Sequence, residues 1–415
     1  MANSVTFRFP DYYPDFRCIG PACSDNCCHD WPIEIDKQHY LRYRGEKNPE
    51  FAALCGKYLH KIKKDASEQV YARIALDNNG RCGFQDPDGG CRMIRLLGED
   101  ILSDTCCFYP RRKNVFTPDL WEISLAMSCE EVVRIGVLAP EQIRFAEKTV
   151  PLSPGDPLHR LQPRGIGLKG RQADPPSWGP ALRLVCLKLM QSRQFTIEER
   201  LAAIFLLLRR LDKLAGAGQD DQIPIETIRF LQTVEAGGLK GFLNTLEDRQ
   251  DITLLALRIP MGHILAGRSE KISRKFLFWL EPHLERGHHG DIFAGKAAAQ
   301  ALLMQMLDRA DPDMKAHEVW LENFFANYLF STMFPFYYPR SICSFEDHAL
   351  MLIQQYGILR CLLAVTPEED PKDRFTAAMV HTARLSQHGD FPGDLRNLLN
   401  TMRLPDNMAM LYLLK

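Results

Sequence analysis

Ten of the thirteen cysteines fall between Cys18 and Cys129, and no other feature restricts the fold as strongly. They are Cys18, Cys23, Cys27, Cys28, Cys55, Cys82, Cys91, Cys106, Cys107 and Cys129, against only Cys186, Cys343 and Cys361 in the long remainder. The first four follow the spacing Cys18-x4-Cys23-x3-Cys27-Cys28, and Cys82, Cys91, Cys106 and Cys129 each sit in a separate segment. Thiols that act together from such scattered positions must be brought to one point by the fold, which is how metal and iron–sulfur sites are assembled. Pro14, Gly20 and Pro21 break any period between Asp11 and Trp31, so the opening cysteines lie on loops that can turn each thiolate inward. Successive side chains of an extended segment point to opposite faces, so only one of Cys27 and Cys28, and one of Cys106 and Cys107, ligates a given metal. The ligand set expected is Cys18, Cys23, Cys27 or Cys28, Cys82, Cys91, Cys106 and Cys129, which is more than four thiols and leaves one or two sites open. Cys55 lies inside an apolar helical pattern and reads as a small core residue.

A chain of 415 residues, 46% hydrophobic and 25% charged, is too long for one ordinary core and divides into domains. Its 51 basic side chains balance 52 acidic ones, so no polyelectrolyte character draws it onto nucleic acid. The first ten residues lack the basic and apolar regions of a signal peptide, and the expected location is the cytoplasm. Thiols there are kept reduced, which favours metal or redox chemistry over a disulfide framework. The richest apolar run, Leu201 to Leu208, is short of the roughly 18 residues a spanning helix needs, so no transmembrane segment is expected. Association with a membrane surface stays open.

Residues 1–140 read as a small, irregular, cysteine-rich domain with short strands. Two helices are expected from Asp36 to about Lys64, broken around Asn48 and Pro49, and a strand from Val70 to Leu76. The turn at Asp77 to Gly80 and another at Asp86 to Gly90 place Cys82 and Cys91 on the arms of a small hairpin. Met93 to Leu102 reads as a short helix, Trp121 to Met127 alternates loosely, and Cys129 opens a helix, where the N-terminal partial charge favours a thiolate. Residues 141–180, rich in proline and glycine, read as a linker. The sequence Gly165-x-Gly167-x-x-Gly170 within it has no preceding strand and is not a dinucleotide fingerprint. Residues 181–415 show helical spacing throughout, with a capping box at Thr196 and Glu199. The fold expected is therefore mainly α, the small domain packing on a larger α-helical C-terminal one. His283, His288 and His289 lack a partner at the i, i+4 spacing and are assigned to polar turns.

Several of these segments, taken in order, resemble one family. They are Phe16 to Gly20, Cys23-x3-Cys27-Cys28-x2-Trp31, Ile35 with Asp36, Gly80 to Cys82, Gly98 with Glu99, Leu102 with Ser103, Thr105 with Cys106, Tyr109 to Arg111, Ser124 with Leu125, and Ser128 with Cys129. The likeness is to the flagellin lysine-N-methylase family, an extended relative of the cysteine-rich zinc- and iron-chelating domain. It returns at Glu322, Asn323, Asn327, Tyr328 and Phe334 to Phe336. The resemblance implies methyl transfer from S-adenosylmethionine to lysine side chains of flagellin, with a [4Fe-4S] cluster held by the cysteine region. The chain departs from the family pattern at Cys107, where arginine is usual, and at Gly83 and Glu130, where proline is usual.

Two further groups carry expectations. Glu322, Asn323 and Asn327 share one helix with an otherwise aromatic surface; the amides either satisfy neighbouring backbone or contact the donor or target lysine. Arg111 and Arg112 follow Cys106 closely, and one of them would offset the negative charge of a thiolate-bound cluster or hold the donor's carboxylate. The sequence does not choose between a radical mechanism and a polar one, in which the target ε-amine, of ordinary pKa about 10.4, must be deprotonated. The competing class is non-enzymatic: a zinc- or iron-binding module that mediates protein interaction or senses redox state.

Overall fold

Val5 and Phe7 alternate with the polar Thr6 and Arg8, and this period-2 pattern makes Asn3–Pro10 a strand, β1, with the two apolar side chains buried. The computed structural model describes residues 3–29, 31, 33–152, 157–161, 176–266, 270–280, 297–336, 344–387, 391–402 and 406–415.

After β1 and the cysteine loop the chain builds a small subdomain: β2 (Ile33–Ile35), α1 (Lys37–Gly45), α2 (Pro49–Tyr58), β3 (Leu59–Lys61), β4 (Ala72–Ile74), α3 (Arg92–Leu97) and α4 (Asp104–Phe108). The strands form an antiparallel sheet in the order β2-β4-β3. The side chains of Asp36 and Asn48 accept from the backbone N–H groups of His39 and Phe51, capping α1 and α2 where the sequence breaks. Tyr43, Phe51 and Phe84 meet ring to ring in the core, and Cys55 packs among them as expected. Gly83 is required by close approach: a Cβ there would lie 2.2 Å from Cγ of Tyr58.

Next come β5 (Arg111–Thr117), β6 (Leu120–Leu125), α5 (Glu130–Val132), which runs on as a π-helical turn over Val133–Val137, and β7 (Phe145–Leu152). With β1 they form a four-stranded sheet in the order β5-β6-β1-β7. β1 runs parallel to β6 and antiparallel to β7, pairing from Asn3 with Leu152 to Pro10 with Phe145. Part of the stretch read as linker is thus a strand. Residues 162–175, with the glycine motif, and residues 281–296, with His283, His288 and His289, lie outside the described residues.

The helical domain comprises α6 (Gly179–Met190), α7 (Ile197–Gly216), α8 (Ile223–Glu235), α9 (Gln250–Ala266), α10 (Glu270–Leu280), α11 (Ala297–Ala316), α12 (Glu318–Ser331), α13 (Phe345–Val365), α14 (Pro371–Gln387) and α15 (Phe391–Met402). The capping box at Thr196 and Glu199 opens α7 with both reciprocal hydrogen bonds in place. α13 is buried almost all round by α7, α9, α11 and α14. The one described helix long and apolar enough to cross a membrane is therefore an interior helix here. The mainly α class, with a small strand-containing N-terminal region, is the one expected.

The two regions are joined by buried polar ties. Arg183 on α6 grips Glu122 on β6 through two bonds of 3.0 Å and also donates to the carbonyl of Phe330. Phe145 on β7 stacks on Phe330 of α12, ring centroids 4.4 Å apart.

Candidate functional site

The loop from Cys18 to Trp31 is irregular, and its shape is imposed by neighbours. Glu130, the first residue of α5, turns one carboxylate oxygen onto it: Oε2 accepts from Ser24 N at 2.8 Å, Ser24 Oγ at 2.9 Å and Asp25 N at 3.1 Å, with Cys23 Sγ at 3.4 Å. Asn26 Oδ1 accepts from the amide of Cys28 and from Gln85 Nε2, and Trp31 Nε1 donates to the carbonyl of Cys27. Cys82 N donates to Cys28 O at 2.8 Å, and Gln85 bridges to Cys91 across the Asp86–Gly90 turn. Cys91 and Cys129 stand at the N-caps of α3 and α5, while Cys106 lies inside α4.

These segments bring thiols into electrostatic contact around Cys27. Burial is the first cause that pushes Cys106 above its ordinary pKa, and Cys82, Cys27 and Cys91 add to it. Burial likewise leads for Cys82, pushed up to about 12, followed by Cys91 and Cys27 as raising neighbours. Cys91 is also raised, by burial and then by Cys27. On the other side of Cys27, Cys23 is raised by burial, Glu130, Cys129 and Cys27. Cys129 is pushed up to about 12 by burial and by Cys27 and Cys18, although the α5 amides oppose this. The expected helix N-terminal effect is therefore present, and burial overrides it. Cys28 is the first cause of the upward shift of Cys27, through a hydrogen bond. Cys107 instead faces Arg160, Asp104 and Arg111. The pair Cys106-Cys107 is helical, not extended, so the two thiols diverge by helix rotation.

Neutral thiols that mutually disfavour ionisation are a donor set for a cation, since a bound metal reverses the sign of each interaction and deprotonates its ligands. The chemistry of the set suits a soft metal or an iron–sulfur group. Among the described residues no three His, Cys, Asp or Glu side chains close around one point as the ligands of a single ion do.

The other residues singled out from the sequence have partners of their own. Glu322 is buried and paired with Arg200 at 2.7 Å and with Arg193 at 3.1 Å. Asn323 accepts from Ile143 N and donates to the carbonyls of Val137 and Glu141. Asn327 accepts from the hydroxyl of Tyr12 and donates to Leu125 O. All three bind α12 to its surroundings, the two amides to the cysteine-rich region. Arg111 lies over the ring of Phe16, its guanidinium carbon 5.3 Å from the centroid, and Arg112 on the opposite face of β5 is buried near Tyr12.

The cations that do reach the cysteine loop come from the helical domain. Arg384 on α14 donates to Asp25 Oδ2 at 2.7 Å and to Asp25 O at 2.8 Å, and Lys275 on α10 lies 3.3 Å from the same carboxylate. His381 Nε2 stands 3.9 Å from it. The positive charge of Arg384 also acts on Cys27 and Tyr109. The helical spacing of residues 181–415 covers this segment but gives no sign of this role. The available signal is the i, i+3 spacing that puts His381 and Arg384 on one face of α14.

Residues 183–414, more than half of the chain, match the FliB lysine N-methylase C-terminal domain. The chain belongs to the FliB lysine N-methylase family. Along its whole length it is similar to a lysine-N-methylase of Salmonella typhimurium, 22% identical over 99% of this chain and 100% of that protein. A lysine-N-methylase of Salmonella choleraesuis is 26% identical over 56% of this chain and 55% of its own length. The flagellar biosynthetic protein FliU of Salmonella muenchen is 30% identical over 35% of this chain and 85% of that protein. No solved structure matches. The family is one of protein-lysine N-methyltransferases, the enzyme class that the resemblance implies.

Proposed function

We propose that this enzyme methylates lysine side chains of flagellin with S-adenosylmethionine as donor, and that the cysteine region holds a [4Fe-4S] cluster. The cluster itself comes from the family resemblance, and what supports it here is that Cys82, Cys91, Cys106 and Cys129, from four separate segments, all lie near enough to Cys27 to feel its charge. The chain's own residues would hold such a group in a defined way. Cys82, Cys91 and Cys106 are fixed by the small subdomain, and Cys23 and Cys27 sit on the loop held by Glu130. A bound cluster would supply a site for electron transfer or donor binding.

The substrate reading rests on the flagellar name carried by one relative and on the lysine-N-methylase name of two others. The helical domain offers a surface near the loop: Leu277 and Phe278 on α10 are 45% and 71% exposed and adjoin Lys275, which reaches Asp25. Apolar side chains exposed together suit a protein substrate. All twelve described cysteines are unpaired, in keeping with action in the reducing cytoplasm before flagellin is exported.

The test is anaerobic purification followed by absorbance and methyl-transfer assays before and after chelation. A brown protein absorbing near about 400 nm, whose methyl transfer falls when iron is removed, is expected. A colourless protein that retains stoichiometric zinc and transfers no methyl group would instead make the chain a metal-stapled binding module.

A further inference from the structure

We propose that Arg384, delivered by the helical domain, is the positioning residue of the Cys23–Cys27 loop and acts through Asp25. The proposal deepens the reading above by naming what holds two of the thiols in place. Asp25 lies midway between Cys23 and Cys27 and its side chain is only 11% exposed. One guanidinium takes both its carboxylate and its backbone carbonyl, at 2.7 and 2.8 Å, so a single forked contact fixes side chain and main chain together. Lys275 adds a longer contact of 3.3 Å from a side chain that is 36% exposed, against 19% for Arg384, and is the weaker partner.

The loop is held as well by the cysteine-rich region itself. Glu130 takes the amides of Ser24 and Asp25, so the same dipeptide is clamped between α5 and α14. α14 packs directly on α5 and on the π-helical turn that follows it, which sets the separation of the two clamps. The buried His381 ring completes the wall beside Asp25, packed on Trp279 with centroids 5.5 Å apart. Two cations thus converge on one carboxylate next to Cys27. By contrast Cys82, Cys91 and Cys106 belong to the core of the small subdomain and do not depend on this contact.

Site-resolved alkylation of the reduced, iron-free, full-length protein under native conditions tests this. In Arg384→Met and in Asp25→Asn, Cys23 and Cys27 are expected to react roughly tenfold or more faster, the effect of losing a charged hydrogen bond on local opening. Cys82, Cys91 and Cys106 keep their wild-type rates, and the double variant reacts more slowly than the product of the two single effects, because the Arg384–carboxylate contact is lost in both. Arg384→Lys, which keeps the charge and loses the fork, falls between. Unchanged rates at Cys23 and Cys27 would overturn the proposal, as would equal acceleration at the core thiols Cys186 and Cys361. Alkylation reads the thiols and not bound iron, so failure of the iron–sulfur reading leaves this test intact.

Discussion

The hydroxyl of Tyr12 donates to Oδ1 of Asn327 at 2.6 Å in the buried seam between the cysteine-rich region and α12. Burial holds the Tyr12 proton well above the ordinary phenol range, so the group is a permanent donor. Gly136 makes room for the ring, since a Cβ there would lie 2.7 Å from it. Asn327 returns a bond to Leu125 O, at the end of β6 and three residues before Ser128. The residue that resembles a family motif is thus the fastening that sets the cysteine region on the helical domain.

Asn327→Leu leaves the Tyr12 hydroxyl and the Leu125 carbonyl without partners, at about 1–3 kcal/mol for each group. Urea denaturation should show a loss of about 2–6 kcal/mol by the same reckoning, and Tyr12→Phe a smaller one. Equal stability of the Leu variant and wild type would contradict this role.

Glu322 makes an ion pair with Arg200 in which both side chains are almost fully buried, at 1% and 2% exposure. Removing one partner strands the other charge, so Glu322→Gln should cost about 3–5 kcal/mol. The half-exposed Arg193 contributes little. Thermal or chemical denaturation checks this. A Gln variant of wild-type stability and no turnover would make Glu322 a proton-transfer residue instead.

Three buried imidazoles fix the acid side of stability. Burial pushes His263 down to about 4 and His348 and His381 down to about 3, so all are neutral in the folded chain. Unfolding returns each ring to a pKa near 6.5, where it binds a proton the folded state refuses. The stabilisation is therefore complete above about pH 6.5 and falls as pH drops toward the folded values, by about 2 kcal/mol per ring between pH 7 and 5. Denaturation midpoints at pH 7, 6 and 5 measure it, and His348→Phe should flatten the slope.

Much of this organisation was open to sequence reading. The reciprocal cap at Thr196 and Glu199, the helix pair broken at Asn48 and the turns that deliver Cys82 and Cys91 are set by local residue chemistry. What escaped was non-local. β5 carries Arg111, Arg112, Lys113 and Asn114 and shows no apolar alternation; it is a strand because β6 pairs with it. β7 lies in a stretch rich in proline and becomes a strand because β1 offers an eight-residue partner. α9 contains Pro260, a helix-breaking signal overridden by packing against α13 and α15. Asp25, Glu130 and Arg384 come together across the chain, and no spacing in the sequence links them.

The thiols can be ranked by single Cys→Ser variants assayed for bound iron. Cys27, which interacts with Cys82, Cys91 and Cys106 and also with Cys23 and Cys129, should lower iron most, whereas Cys186 and the buried Cys361, both in the helical core, should leave it unchanged. Full iron in the Cys27→Ser protein would remove it from the ligand set.

The most direct test of the whole account is methyl transfer to the protein substrate. Iron-reconstituted enzyme, labelled S-adenosylmethionine and flagellin are incubated without oxygen, and lysine masses are mapped on the flagellin. The account predicts added mass of about 14 per methyl group at lysines of flagellin, strongly reduced with Cys27→Ser enzyme. Iron-loaded enzyme that leaves flagellin lysines unmodified, while an active lysine methylase modifies them under the same conditions, would contradict it.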